Sequence, residues 1–123
     1  IYTVAGDGDA GFSGDGGPAA SAMLSYPEGV AVDSAGNLVI ADTGNNRVRM
    51  VAARTGTFYG VPMTTGDIYT VGGTGAYTDS NPDFYGDGGP ATKAGLSACA
   101  VAISPTGILV ADITSHRIRR ISG

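Results

Sequence analysis

The hexapeptide GDGGPA occupies residues 14–19 and returns letter for letter at residues 86–91. It is one block of a longer duplication. IYTVAG at 1–6 returns as IYTVGG at 68–73, GVAVDSAGNLVIADT at 29–43 as AVAISPTGILVADIT at 100–114, and NNRVRMV at 45–51 as SHRIRRI at 115–121. The blocks keep their order, while the spacing between copies runs from 67 residues (Ile1 to Ile68) to 72 (Gly14 to Gly86) and back to 70 (Asn45 to Ser115). Insertions therefore fall between the blocks and spare them, as they do in a structural repeat whose strands are fixed and whose loops are free. A unit built twice must bury its apolar face against copies of itself.

Within one unit, residues 30–33 and 38–42 are short apolar runs around a Ser-Ala-Gly-Asn turn, and residues 47–51 alternate charged with apolar. These patterns predict two strands, a turn, and a third strand with one wet face. A fourth strand is predicted at 68–71, reached through a Gly/Thr/Pro-rich connector at 53–67. Charged residues make up only 15% of the chain, glycine supplies 21 of its 123 residues and tryptophan is absent, a composition that suits a turn-rich all-β protein and not disorder. Four-stranded meanders stack either as propeller blades or as a solenoid. The first strand is the most apolar (30–32 and 100–103) and charge collects on the third, which favours blades that converge at small residues and splay apart at arginine.

The pattern P-x-G-V-A-V-D-x-x-G-N-L-x-I-A-D-T-x-N-N-R-V-R at 27–49 resembles the NHL repeat. GFSGDGGPA-x-x-A-x-L at 11–24 is similar to bacterial members of that β-propeller family, and the linker at 55–71 resembles actinobacterial proteins with long runs of NHL units. The second copy departs from the pattern. Ala98-Cys99-Ala100 replaces Tyr-Pro-Glu-Gly with one residue fewer, Ile108 replaces Asn37, and Ile113 replaces Thr43. The resemblance implies an all-β fold of two four-stranded meander blades of an NHL-type propeller, which complete a six-bladed ring by trimerisation or as part of a longer chain. The first repeat unit is then 1–67, with an outer strand at 1–5 and blade strands near 29–53. The second is 68–123, with an outer strand at 68–72 and blade strands near 100–121. The family fixes no single chemistry. The expectation is a non-catalytic scaffold for a protein or small ligand, with a propeller lyase or hydrolase, or an RNA-binding propeller, as alternatives; an extracellular or cell-surface location follows from the resemblance alone.

In a propeller the connection between blades shares a face with the loop between second and third strands. That face gathers Phe12, Ser13, Asp15, Asn45 and Asn46 from one unit, and Phe84, Tyr85, Asp87, Ser115 and His116 from the other. Against a binding role stands an architectural one, in which Asp15 and Asp87 cap a helical turn opened by the following proline while Phe12 plugs the groove between blades. The pairs Asp42/Arg47 and Asp112/Arg117, each five residues apart, read as ion pairs pinning a turn. Arg47, Arg49, Arg54, Arg117, Arg119 and Arg120 read as a solvated rim.

Net charge is −4, which argues against a general nucleic-acid binder. His116 and Cys99 are the single histidine and the single cysteine, so neither a zinc site nor a disulfide framework can be assembled within one chain, and no G-x-S-x-G elbow occurs. Asp7-Gly8-Asp9 with Asp15 lacks the D-x-D-x-D-G spacing and terminal glutamate of an EF-hand loop, so no metal and no cofactor are expected. Cys99 reads as a small buried residue where a strand begins. No apolar run is long enough to span a membrane. The expected inter-blade core is Val30, Val32, Leu38, Ile40, Val101, Ile103, Leu109 and Ala111. Residues 1–4 are expected to pair with a 117–121 strand of another chain or of a further segment, as in a homotrimer or a fragment of a longer propeller.

Overall fold

The computed structural model describes residues 1–76 and 86–123. Its strands are β1 (Pro27–Val32), β2 (Leu38–Asp42), β3 (Arg47–Val51), β4 (Gly56–Phe58), β5 (Val61–Met63), β6 (Ile68–Gly72), β7 (Ala98–Ser104), β8 (Gly107–Asp112) and β9 (Arg117–Ser122). No α-helix occurs among the described residues; single 3-10 turns lie at Ala19–Ser21, Thr43–Asn45 and Ala91–Lys93. The described residues are all-β, in antiparallel sheets built as meanders. The first blade is the meander β1-β2-β3-β6 and the second is β7-β8-β9.

Local chemistry sets each turn. Between β1 and β2, the Asp33 carboxylate accepts hydrogen bonds from the Ala35 and Asn37 backbone N–H groups and from Asn37 Nδ2. Asn37, wholly buried, accepts the Ala53 N–H at 2.8 Å on its remaining oxygen. The 53–67 connector, expected as plain loop, contains the hairpin β4-β5. Its two-residue turn, Tyr59-Gly60, has φ of 54° and 76°, the handedness that matches strand twist. Phe58, Tyr59, Val61 and Met63 let the hairpin pack on the inter-blade core.

That core holds Val39, Ala41, Val48, Met50 and Val71 from the first blade and Ala98, Ile108, Val110 and Ile121 from the second, with Val101 and Ile103 at its margin. The blades converge at their first strands. A Cβ on Gly29 would lie 3.2 Å from the Ala100 Cα, so a side chain there would push β1 off β7. A smaller cluster on the other face of the first blade joins Ile40 and Ile68 to Ala19 and Ala22 of the GDGGPA loop, with Ala5, Leu24, Leu38 and Val51 against it.

The expected core is corrected in two ways. Without a gap, Leu109 and Ala111 align with Leu38 and Ile40, but the turn between Ile103 and Ile108 is one residue shorter than that between Val32 and Leu38. The equivalents are therefore Ile108 and Val110, both fully buried, because a one-residue slip turns every side chain to the opposite face. Val30 and Val32, in turn, lie on the face of the first blade that points away from the second, and remain 66% and 62% exposed. Val101 and Ile103 hold the equivalent positions in the second blade and are partly covered, since there the neighbouring blade is present. Residues 1–5 make no β-pairing within the chain, and Ile1, Tyr2 and Val4 stand in solvent. One further expectation differs. Cys99 lies at the bulge of β7 and is half-buried.

Candidate functional site

The centre of the candidate face is Arg49, a charged side chain with no exposure to solvent. All five of its N–H donors are used. Nε and one terminal nitrogen donate to Asp15 Oδ1 at 3.2 and 2.9 Å. The other bonds run to the carbonyl oxygens of Ser13 (2.7 Å) and Met23 (2.8 Å) and to Asp42 Oδ2 (3.4 Å). Asp42, equally buried, also accepts the Ser25 N–H and Asn45 Nδ2, each at 2.8 Å, so neither charge is left unpaired. The second Asp15 oxygen accepts the Thr70 hydroxyl of β6 at 2.6 Å. The GDGGPA loop is thereby fastened to strands β2, β3 and β6 of the blade that follows it. Backbone bonds complete the attachment: Gly16 N–H donates to the Ile68 carbonyl at 2.7 Å, and Ile68 N–H to the Gly17 carbonyl at 2.9 Å.

The second unit repeats the arrangement. Arg119 donates to Asp87 Oδ1 (3.2 Å from Nε), to Asp112 Oδ2 (3.1 Å) and to the Gly95 carbonyl, and Ser97 N–H donates to Asp112 Oδ1 at 3.1 Å. The expected pairs Asp42/Arg47 and Asp112/Arg117 are thus corrected to Asp42/Arg49 and Asp112/Arg119. Both arginines of β3 share the face of Asp42, and the loop decides between them. It lays Phe12 over Arg47, with the guanidinium carbon 3.7 Å from the ring centroid, and Arg47 donates to the Thr74 carbonyl instead. The arginine rim is corrected in the same way, since Arg49 is internal and Arg119 nearly so. Nor does Asp15 cap a helical turn. Pro18 and Pro90 precede the two 3-10 turns, as the sequence leads one to expect, and neither turn has a side-chain cap.

The structure brings Phe12, Asp15 and Asn45 together around Arg47 and Arg49, with Asn45 Nδ2 donating to the Gly11 carbonyl at 2.8 Å. Asn46 turns toward the next connection and donates to the Gly75 carbonyl at 3.4 Å. The connections between blades and the β2–β3 loop therefore do share one face. Asp87 lies with Arg119, His116 is exposed, and the Ser115 hydroxyl is buried with no hydrogen-bond partner among the described residues. Phe84 and Tyr85 lie outside the described residues. Asn46 and His116 hold the same left-handed loop position, with φ of 53° and 56°. Asp7 accepts the Asp9 N–H in a local turn, while Asp15 is committed to Arg49 and Thr70. Among the described residues no cluster of three or more His, Cys, Asp or Glu could hold a metal ion. The sequence reading missed Arg49 and Arg119 as hubs, although their recurrence at matched positions was the available signal.

Residues 24–49, from the end of the Gly-rich loop through β1 and β2 to the buried arginine, match the family model of the NHL repeat. This segment is an NHL repeat. No curated protein matches the chain. The NHL segment ends at Arg49, so the residues that fasten the preceding loop include the last one of the repeat itself. No helix among the described residues is long and apolar enough to cross a membrane.

Proposed function

We propose that this chain is a non-catalytic propeller scaffold that presents its loop face to a protein or small-ligand partner. The observation that carries this reading is the contrast between what the two units repeat and what they vary. Both keep the Asp–Arg–Asp network, and both keep the left-handed loop tip. At that tip, however, Asn46 becomes His116 and Asn45 becomes Ser115, and in the neighbouring connection between blades Asp7-Gly8-Asp9 becomes Thr74-Gly75-Ala76. A constant frame with changing tips is how a scaffold carries specificity in its loops. The carboxylates at the face also support it, because Asp15 and Asp42 are each held by Arg49 and are poorly placed to act as general bases.

The test places a photo-crosslinking side chain at 46 or at 116, with a control at Thr57 on the β4-β5 hairpin, and exposes each protein to extract. Discrete protein or ligand adducts from 46 and 116, absent from 57, are the expected result. Equal adducts from all three positions, or adducts consisting of RNA, would overturn the reading.

A further inference from the structure

Among the described residues, four other than glycine have a left-handed backbone: Tyr26, Asn46, Tyr59 and His116. For three of them the fold supplies a reason. Tyr59 opens the two-residue turn between β4 and β5, and Asn46 and His116 end the β2–β3 and β8–β9 loops. Tyr26 is different. Its φ of 49° breaks two local rules at once, because a bulky side chain is disfavoured at positive φ and because the residue before a proline is driven toward extended backbone. Its side chain is 75% exposed, so burial within the chain does little to offset that strain.

The second unit shows that the frame does not require this residue. Ser25 N–H donates to Asp42 Oδ1 at 2.8 Å and Ser97 N–H to Asp112 Oδ1 at 3.1 Å, so the two serines are equivalent anchors. From each anchor the chain enters the first strand of its blade, with Pro27 opposite Asp42 and Ala98 opposite Asp112. One residue, Tyr26, stands between anchor and strand in the first unit, and none stands there in the second. The Ser25 carbonyl also accepts the Gly44 N–H at 2.8 Å, which places Tyr26 beside the β2–β3 loop, on the loop face. An aromatic residue that is strained, exposed and dispensable to the frame is one held for contact outside the chain.

The charge of the face selects the contact. Asp7, Asp9 and Glu28 are exposed and make no ion pair among the described residues. The arginines of β3 do not neutralise them: Arg49 is enclosed in its network, and Arg47 lies over Phe12 and donates to the Thr74 carbonyl. An exposed tyrosine ring beside uncompensated carboxylates suits a cation, and a planar guanidinium stacks on such a ring. We propose that Tyr26 is the residue with which the loop face recognises its partner, and that it takes an arginine side chain of a partner protein on its ring. The inference rests on the loop-face reading and names the chemistry of the partner.

The test titrates the chain with the peptide acetyl-Gly-Arg-Gly-Arg-Gly-amide, and with the same peptide carrying citrulline or glutamate in place of arginine, while NMR follows the tyrosine rings and the backbone amides. Saturable shifts of the Tyr26 ring and of the amides near it are expected with the arginine peptide, about tenfold weaker binding with citrulline, and none with glutamate. Tyr26→Phe, which keeps the aromatic face, should bind as the parent does. Tyr26→Gly should lose about tenfold in affinity and yet unfold at a higher urea concentration, because glycine adopts the left-handed backbone without strain. A Tyr26→Gly chain that binds like the parent, or that unfolds at a lower midpoint, overturns the proposal. Shifts centred on residues 46 and 116 that leave Tyr26 unmoved overturn it while the loop-face reading stands, as does the absence of any shift. Shifts confined to the β4-β5 hairpin overturn both.

Discussion

A guanidinium removed from water costs several kcal/mol unless every donor finds an acceptor, and Arg49 meets that condition with two carboxylates and two carbonyls. Removing it leaves Asp42 buried with its charge uncompensated. Arg49→Ala should therefore destabilise by about 3–5 kcal/mol in urea unfolding, the range for breaking one side of a buried pair. Loss of less than about 1 kcal/mol, the level of a surface ion pair, would show that the network contributes little. The glycines of the same loop separate strain from crowding. Gly14 and Gly16 both have left-handed φ, of 91° and 84°, but a Cβ on Gly14 would come within 2.6 Å of the Ala22 Cβ while one on Gly16 meets nothing within 4 Å. Gly16→Ala should cost about 1–2 kcal/mol, the conformational term alone. Gly14→Ala should cost more, read as a lower denaturation midpoint for the second variant than for the first.

At the scale of elements, alternation along a strand names two faces, and the neighbour determines which is buried. β2 is apolar on both: Val39 and Ala41 pack on the second blade while Ile40 packs on the GDGGPA loop. β9 differs, with Ile121 internal and Ile118 71% exposed. Ile108→Ala should accordingly lose about 2–5 kcal/mol, the usual range for emptying a packed core position. Ile118→Ala should stay within about 0.5 kcal/mol of the parent. Equal losses at both positions would mean that the assigned register of the second blade is wrong.

For the whole molecule, the two stacked blades leave Val30 and Val32 exposed on one outer face and Ile118 on the other. Val30→Lys together with Val32→Glu alters only the outer face of the first blade. The double variant should unfold in urea with the same midpoint as the parent, because neither valine belongs to the core between the blades. A clearly lowered midpoint would mean that this face is covered in the folded chain.

The sequence by itself determined the duplication, the strands at 38–42, 47–51 and 68–72, the all-β class and the NHL pattern, because all of these are local: periodicity, turn chemistry and a motif within about thirty residues. It also placed Phe12, Asp15 and Asn45 on one face, since the order of strands in a meander fixes which loops meet. What it left open depends on contacts across the chain. Asp42 faces Arg47 and Arg49 alike, and only the path of a loop more than thirty residues away in sequence selects Arg49. The second hairpin is shorter by one residue, a difference hidden in an ungapped match, yet it moves Ile108 and Val110 into the core in place of Leu109 and Ala111. Burial of Val39 and exposure of Val30 likewise follow from where the other blade lies. The pattern along a strand is set by its own residues, but burial is a property of two surfaces, and only the tertiary structure supplies the second.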